Sequence, residues 1–466
     1  MKQLLQFRHN LLRVHSRSGY IVLLPEVPTA NEALNKINIT TAHDKLPQFN
    51  QLTTEKCVTL MGQRIIEYET QVLAVEDRIP LEQEMILAEE KSKAKAGLQV
   101  FSKIFDSIEQ LNTQFDNTWA LLRHLYFTSK NTMPPNIFFG IHNRAKQARC
   151  KKYNLKNVYN ACKSMDATQL SEEQQRVLSK YMLESKLAGI ELEGKRNNLN
   201  LNILYLLLQV ITPLNTLILN LTEPQYGKPC LLTFKQVENL FFHFGSLLQR
   251  SLTATHYSDV SGVNNVEWDS VYIINYFLTH FLYEERVFAE LNSHFATGEK
   301  LKMTDEQLKA LRAHNAGIDV CSELFKANLD LQLHNGPKPH WSEISRELYP
   351  LHFGFPIDKY SNLPCRFVEV GSGDLAAGYY SFLWSKLVSA DIFYAFKEDG
   401  EGRLEDESGR SDSGVSGGER TEPNVGSRLR DTFLTFGGSC HSSEVFRRFR
   451  GRDPCFKPFL DMFRLN

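Results

Sequence analysis

The chain has 466 residues, of which 42% are hydrophobic and 23% are charged, and its formal net charge is −1. This composition is typical of a folded globular protein, and the length suffices for two or three domains or one large helical body. A net charge so close to zero excludes any bulk electrostatic attraction to nucleic acid or to an anionic membrane, so we predict neither as a partner.

The composition of residues 1–25 and the spacing of the cysteines indicate the cellular compartment of the protein. Residues 1–25 carry Lys2, Arg8, Arg13 and Arg17 but no acidic residue. A basic, acid-free and serine-containing start is typical of a mitochondrial transit peptide, and the alternative is a basic tail on a cytoplasmic protein. Eight cysteines are scattered without a C-x-x-C pair, which predicts free thiols in a reducing compartment. We therefore predict a mitochondrial location, with the cytoplasm as the alternative.

Residues 53–210 are predicted to form an N-terminal helical region. Ser171 and Gln174 have the spacing of a capping box, which predicts that a helix begins there. Residues 197–222 carry no charge and superficially resemble a membrane span, which needs about 20 predominantly apolar residues. Asparagine, glutamine, threonine and proline interrupt the stretch. We predict a buried helix followed by a buried strand rather than a span.

The central part of the chain is predicted to hold a pair of helices at 233–250 and 266–283. Thr233 and Gln236 have capping-box spacing and mark the start of the first helix. Apolar residues then recur at helical spacing and give this helix one apolar face, namely Val237, Leu240, Phe241, Phe244, Leu247 and Leu248.

Three runs in this region resemble one known family. The runs VENLFFHFGS, VSGV at 260–263 and VEWD at 266–269 are similar to the zinc-binding region of the thimet oligopeptidase and oligopeptidase A family of metallopeptidases. The resemblance implies a mainly α, zincin-like oligopeptidase body with little sheet. It also implies that a large middle piece is absent near 210–214, so the central region is shortened. Residues 214–398 then form a metallopeptidase-like catalytic-domain remnant, and residues 429–466 a C-terminal helical segment of that domain.

The resemblance also implies where a metal would bind. A zincin helix carries H-E-x-x-H, with two histidine ligands and a glutamate as general base. The two ligand positions hold Phe242 and Ser246, the general-base position holds His243, and the third ligand position, on the next helix, holds Tyr272. Phe cannot ligate zinc, and Ser and Tyr are poor ligands beside His and carboxylate. We therefore predict no metal, no other cofactor and no catalytic residue, although zinc is present in active relatives.

A second segment of the family grips the peptide backbone and stabilises the oxyanion. Its positions correspond here to Glu369, Leu375, Tyr379 and Phe382, of which Tyr379 alone keeps a hydroxyl donor. Tyr379 and Tyr380 are the candidate peptide contacts, and the alternative is that both are core aromatics on a helix predicted at 376–398. The glycine-containing run FVEVGSG at 367–373 also resembles a nucleotide-binding turn, but it lacks the alternating strands and helices that such a turn requires.

Two stretches are predicted to be irregular. Residues 334–365 are rich in proline, and residues 399–428 are an acidic Gly/Ser-rich stretch that is predicted to form a flexible loop. Together these observations predict an oligopeptidase-like protein without zinc ligands, an inactive pseudo-peptidase that binds peptides or a protein partner. The alternative is a zinc-dependent metalloendopeptidase that hydrolyses short peptides. The sequence does not indicate an oligomeric state.

Overall fold

A computed structural model describes residues 49, 52–90, 93–191, 217, 221, 230–335, 340–371, 375–408 and 424–465. Every regular element in these ranges is helical, and no strand occurs among them. The predicted mainly α fold class is confirmed. In the part of the chain that is described, no helix is both long and apolar enough to cross a bilayer.

The N-terminal half is built on two long antiparallel helices. Helix α1 begins after Thr53, whose side chain accepts a hydrogen bond from the Lys56 amide. The half comprises α1 (Thr54–Glu89), α2 (Lys93–Thr128), α3 (Pro135–Cys150), α4 (Lys156–Lys163) and α5 (Glu172–Leu187). One continuous apolar core joins these helices, and its most deeply buried large side chains include Met61, Ile79, Phe101, Ile104, Phe115, Leu122 and Met133.

The C-terminal half consists of shorter helices around a second core. They are α6 (Phe234–Leu252), α7 (Ile273–His280), α8 (Glu285–Leu291), α9 (Asp305–Ala313), α10 (Ala316–Asn335), α11 (Trp341–Phe353), α12 (Val368–Gly371), α13 (Tyr380–Ser408), α14 (Val425–Leu429), α15 (Ser442–Arg450) and α16 (Lys457–Phe463). Helices α7, α13, α14 and α15 share the main core, and α10 packs on α11 around a smaller one centred on Phe325 and Leu329.

Capping-box spacing in the sequence predicted the starts of α5 and α6 correctly. The capping boxes predicted at Ser171 and Thr233 are both formed, with each side chain accepting from the amide three residues on. The second helix of the central pair is shorter than predicted. A 3-10 turn occupies Trp268–Ser270 and α7 begins only at Ile273, because the Ser385 hydroxyl on α13 binds the Asp269 carbonyl at 2.7 Å and holds the chain there.

Three other predicted boundaries differ from the structure. The segment predicted to be irregular at 334–365 contains helix α11, since Ile344 and Leu348 pack against Phe325. Helix α13 begins at Tyr380 rather than at 376 and continues to Ser408, ten residues into the predicted flexible loop. The FVEV run lies largely in the short helix α12 and not in a strand.

Several predictions fall outside the described residues. These are the predicted transit peptide at 1–25, nearly all of the uncharged stretch at 197–222, the junction near 210–214, and residues 409–423 of the predicted loop. The division of the chain into 53–210, 214–398 and 429–466 stays a prediction.

The connection after α6 joins the two halves through buried charges. The Asp259 carboxylate lies 2.6 Å from the Lys152 ammonium, and the Lys180 ammonium donates to the Asp259 carbonyl. Nearby, Arg176 on α5 donates to the carbonyls of Asn265 and Gly438. These contacts fix the connection, and therefore α6, against the N-terminal half.

Candidate functional site

Helices α6 and α7 cross unusually closely, and one glycine makes this approach possible. A Cβ atom added at Gly245 would lie 2.5 Å from the Asn275 Cα and 2.7 Å from the Ile274 carbonyl oxygen. Such distances leave no room for any side chain. The two helices therefore bring the residues beside Gly245 directly over the start of α7.

Five aromatic side chains meet at this crossing, and we call them the aromatic cluster: Phe242, Tyr272, Tyr276, Tyr379 and Phe382. Phe242 and Tyr272 are stacked with ring centroids 6.0 Å apart, and Tyr272 stacks on Phe382 at 4.6 Å. Tyr276 meets Phe242 edge to face at 4.9 Å. Tyr379 lies 5.2 Å from Phe382. Three separate parts of the chain thus contribute to one stack.

Ser246 also lies at the crossing, one turn after Phe242. Its hydroxyl accepts a hydrogen bond of 2.7 Å from the side-chain amide of Asn275, which is almost fully buried. The side-chain oxygen of Asn275, Oδ1, makes no hydrogen bond to any residue that the structure describes. The Ser246 hydroxyl is consequently oriented toward α7.

His243 does not join the cluster. Its side chain is exposed on α6, and its ring meets Phe242 edge to face at 5.4 Å. Two other residues of this region, His256 and Glu267, have side chains that could bind a metal together with His243, but both have partners elsewhere. His256 is exposed and lies 3.3 Å from Glu173, and Glu267 binds Arg176 at 2.9 Å. Within the described ranges, no three His, Cys, Asp or Glu side chains are grouped closely enough to hold a metal ion.

A buried aspartate holds the loop that presents Tyr379. The two carboxylate oxygens of Asp330 on α10 accept hydrogen bonds of 2.9 Å from the amides of Ala377 and Tyr379. His334 approaches the same carboxylate at 3.0 Å. The backbone at Ala377 is left-handed, with φ of 61°, a conformation in which non-glycine residues are uncommon. Tyr380, by contrast, lies exposed at the first position of α13.

The tyrosines of the cluster are held as neutral phenols. Burial raises the pKa of Tyr272 and of Tyr276. Burial, with the nearby charges of Glu323 and Glu369, raises the pKa of Tyr379 to about 12. A neutral phenol is a hydrogen-bond donor and acceptor. The cluster therefore offers apolar ring faces for van der Waals contact together with hydroxyl groups for hydrogen bonding, and a ligand could use both.

Sequence reasoning missed Asp330, Asn275 and Tyr276 as parts of the site. Each acts through a partner that is distant in the chain or on another helix, as when Asp330 binds amides 47 and 49 residues away. The sequence signal for Asp330 is a charged residue among the apolar residues that form the buried face of α10. A buried carboxylate is normally paired or hydrogen-bonded, so such a residue indicates a partner elsewhere in the chain.

Comparison with known proteins shows which family this region matches. The family described as Peptidase family M3 matches residues 141–465. The chain is 33% identical over 254 residues to organellar oligopeptidase A, chloroplastic/mitochondrial, of Arabidopsis thaliana. The aligned segment covers 53% of this chain and 30% of that protein. It is 32% identical over 259 residues to a probable cytosolic oligopeptidase A of the same plant, covering 53% of this chain and 34% of the relative.

A bacterial relative gives a similar result. Oligopeptidase A of Escherichia coli is 30% identical over 256 residues, which are 54% of this chain and 35% of the relative. The matched part of the chain thus corresponds to about a third of the length of these curated relatives. Since the match to the family itself runs from α3 to the end of the chain and includes the α6–α7 crossing, the chain belongs to peptidase family M3.

Proposed function

We propose that the protein is an oligopeptidase-like protein without catalytic activity that binds peptides or a protein partner through the aromatic cluster. The observation that carries the proposal is the stack of Phe242, Tyr272 and Phe382, with successive centroids 6.0 and 4.6 Å apart. Two of these residues stand where the resemblance to oligopeptidase A implies a metal ligand. Ring faces with phenolic hydroxyls beside them combine apolar area with hydrogen bonding, which suits a peptide chain.

The residues at these positions do not fit a zinc ion. A catalytic zinc is held by three ligands drawn from His, Cys and carboxylate, and keeps one open position. Phe242 has no lone pair on its side chain, and the Ser246 hydroxyl already accepts a hydrogen bond from Asn275. Burial raises the pKa of Tyr272, so its phenol keeps its proton. We infer no hydrolytic step through a metal in this protein.

Metal content and peptide cleavage test the loss of activity. The purified full chain should contain far less than one zinc per molecule, and it should not cleave a quenched fluorescent nonapeptide above the buffer rate, with or without added zinc. The opposite result, one zinc per chain with cleavage that a chelator abolishes, would establish a zinc-dependent endopeptidase that hydrolyses short peptides.

Peptide binding tests the role of the aromatic cluster. A Phe382→Ala variant should bind a fluorescent short peptide roughly tenfold more weakly, because it removes the ring that stacks on Tyr272. Tyr360→Ala is the matched control, since Tyr360 is 88% exposed and its loss should leave affinity unchanged. Equal affinities for both variants and the original chain would contradict the proposal, provided that circular dichroism shows all three folded.

We propose a mitochondrial location on the basis of the basic, acid-free composition of residues 1–25. The relatives are named as organellar in one case and cytosolic in another, so both locations are compatible with the family. A fluorescent protein fused to the C-terminus of the full chain should co-localise with a mitochondrial marker. Diffuse cytoplasmic fluorescence would favour the alternative.

A further inference from the structure

Two arginine side chains lie near each other where the C-terminal end of α6 approaches the N-terminal half. We call them the arginine pair: Arg123 on α2 and Arg250 in the last turn of α6. Burial lowers the pKa of both guanidinium groups, and the positive charge of Arg123 lowers the pKa of Arg250 further. A guanidinium nevertheless stays protonated in proteins. Each half of the molecule therefore contributes one permanent positive charge to this place.

The arginine pair has no acidic partner among the residues that the structure describes. No carboxylate forms an ion pair with either guanidinium there, and no acidic charge acts on the pKa of either one. Arginines elsewhere in the molecule with 7% and 8% exposed side chains are paired: Arg149 lies 3.1 Å from Asp116, and Arg450 lies 3.1 Å from Asp391. Charges withdrawn from water are normally paired, because an isolated ion loses its hydration. The described chain supplies no counterion for the arginine pair.

The donor nitrogens at the ends of both side chains are accessible to a ligand. A Cβ atom added at Gly262 would lie 3.3 Å from the Arg250 Cγ atom, so the aliphatic part of this side chain packs on the glycine. The Nε–H of Arg250 is buried, whereas its two terminal nitrogens keep contact with solvent. All three guanidinium nitrogens of the half-buried Arg123 are accessible too. A bound anion can therefore reach both guanidinium groups from solvent.

Contacts between α2 and α3 fix the surroundings of Arg123. Trp119, Arg123 and Tyr126 follow one another at helical spacing, so they lie on one face of α2. The Trp119 indole N–H donates to His142 Nδ1 at 3.2 Å, and Tyr126 stacks on Phe138 with ring centroids 4.3 Å apart. Arg123 lies between these two contacts along the helix. Its Cα is thus held in a defined position beside α3.

Helix α3 adds further basic groups to this place. Burial, together with the positive charges of Arg123 and Lys146, lowers the pKa of His142. Because Trp119 donates to Nδ1, the neutral His142 ring carries its hydrogen on Nε2 and is a donor there. Three helices, α2, α3 and α6, therefore bring basic side chains to one region. Such a concentration of positive charge attracts anions.

We propose that Arg123 and Arg250 bind a phosphate group, either as free phosphate or on a phosphorylated residue of a peptide. A guanidinium presents its donors as a planar fork that matches the oxygens of a phosphate. Two guanidiniums carry two positive charges, and a phosphate group with a charge of about −1.5 to −2 balances them better than a singly charged carboxylate does. The site shares no residue with the aromatic cluster, so it is independent of the function proposed above.

Unfolding of the full chain in inorganic phosphate tests the site. The midpoint of thermal unfolding should rise as millimolar phosphate replaces chloride at constant ionic strength, because a ligand that binds only the folded chain stabilises it. Acetate, which carries a single charge, should raise the midpoint much less. An unchanged midpoint in phosphate, or an equal rise in acetate, would overturn the proposal.

Variants separate this site from unspecific charge attraction. Arg123→Gln and Arg250→Gln should each weaken phosphate binding at least about tenfold, because each removes charge-assisted hydrogen bonds. Arg144→Gln is the matched control, since it removes the same charge from an exposed position on α3 and should leave binding unchanged. Arg250→Lys keeps the charge but loses the fork, and should retain part of the affinity. Equal effects of Arg123→Gln and Arg144→Gln would contradict a site at the arginine pair.

Two further measurements complete the test. Without phosphate, the unfolding midpoint of Arg123→Gln should equal or exceed that of the original chain, because one of two neighbouring like charges is gone; weaker binding then cannot result from unfolding. Fluorescein-labelled, end-blocked Ala-Ala-phosphoserine-Ala-Ala and its unphosphorylated form identify the source of the phosphate. Binding of the phosphorylated form alone, displaced by inorganic phosphate, supports a phosphorylated segment, and binding of inorganic phosphate alone supports the free ion. Equal binding of the two peptides would contradict recognition of a phosphate group.

Discussion

At the scale of single residues, Gly245 decides whether α6 and α7 can meet. The three atoms nearest to a Cβ at this position all belong to the backbone of α7, which cannot rotate away as a side chain could. A methyl group here must push the helices apart. The stack of Phe242 on Tyr272 depends on the same spacing, so stability and the geometry of the site are linked at this glycine.

We expect Gly245→Ala to lower the free energy of unfolding by about 1–3 kcal/mol, the usual cost of overpacking a tight contact. Gly140→Ala is the control, because Gly140 lies inside helix α3 with nothing within 4 Å of its Cβ position. There the better helix propensity of alanine should raise stability by about 0.5–1 kcal/mol. Urea unfolding of both variants measures this, and equal effects would show that the crossing is not tight.

At the scale of elements, Asp330 on α10 ties the loop that carries Tyr379 to the helical body. Its two carboxylate oxygens accept from the Ala377 and Tyr379 amides, and the carboxylate is fully buried. These two acceptors stabilise the loop in a conformation in which Ala377 has a left-handed backbone, which is costly for a residue other than glycine. The position of the Tyr379 side chain therefore depends on Asp330. Among the described hydrogen bonds, those of the Asp330 side chain reach no other member of the aromatic cluster.

We expect Asp330→Asn to lower the free energy of unfolding by about 1–3 kcal/mol, because an amide offers one acceptor oxygen where the carboxylate offers two. The control is Asp319→Asn, an exposed aspartate on the same helix, which should change stability by less than about 0.5 kcal/mol. Hydrogen exchange at the Ala377 and Tyr379 amides should be faster in Asp330→Asn only. Unchanged exchange would mean that the loop is held by something else.

The elements also show how much the sequence could predict. Capping boxes at Ser171 and Thr233 involve residues three apart, so local spacing was enough to locate both helix starts. The placement of Tyr272 was predicted less well. The residue lies at the N-cap of α7 and not within a helix, because Ser385, 116 residues away from Asp269, holds the preceding turn. The stack of Tyr272 on Phe382 spans a similar separation, and periodicity carries no information about such pairs.

At the scale of the whole molecule, the two halves are joined by charges buried between them. Asp259 from the C-terminal half lies against Lys152, and Glu109 accepts from Ser258. Burial and the negative charge of Asp259 raise the pKa of Glu109 to about 7, although the positive charges of Arg149 and Lys152 act in the opposite direction. The junction therefore contains a carboxyl group that prefers to be protonated when the protein is folded.

The sign of the resulting pH dependence follows from proton counting. Between about pH 4.5, the ordinary pKa, and about pH 7, folded Glu109 holds a proton that the unfolded chain has released. Since the folded state binds more protons in this window, the free energy of unfolding falls as the pH rises through it. At 1.36 kcal/mol per pKa unit, the rise in the pKa of Glu109 from 4.5 to about 7, which is about 2.5 pKa units, sets an upper limit of about 3.4 kcal/mol on its contribution.

We therefore expect the original chain, measured without peptide, to lose stability between pH 5 and pH 8 relative to Glu109→Gln, whose amide does not titrate. Urea unfolding of both proteins at each pH isolates the contribution of this group, because all other titrating residues are shared. The difference between them should shift by about 1–3 kcal/mol across the window, in favour of the variant at high pH. A constant difference would mean that Glu109 is already ionised in the folded protein, stabilised by Lys152 and Arg149, and that the junction between the halves is a set of ion pairs without a protonated carboxyl group.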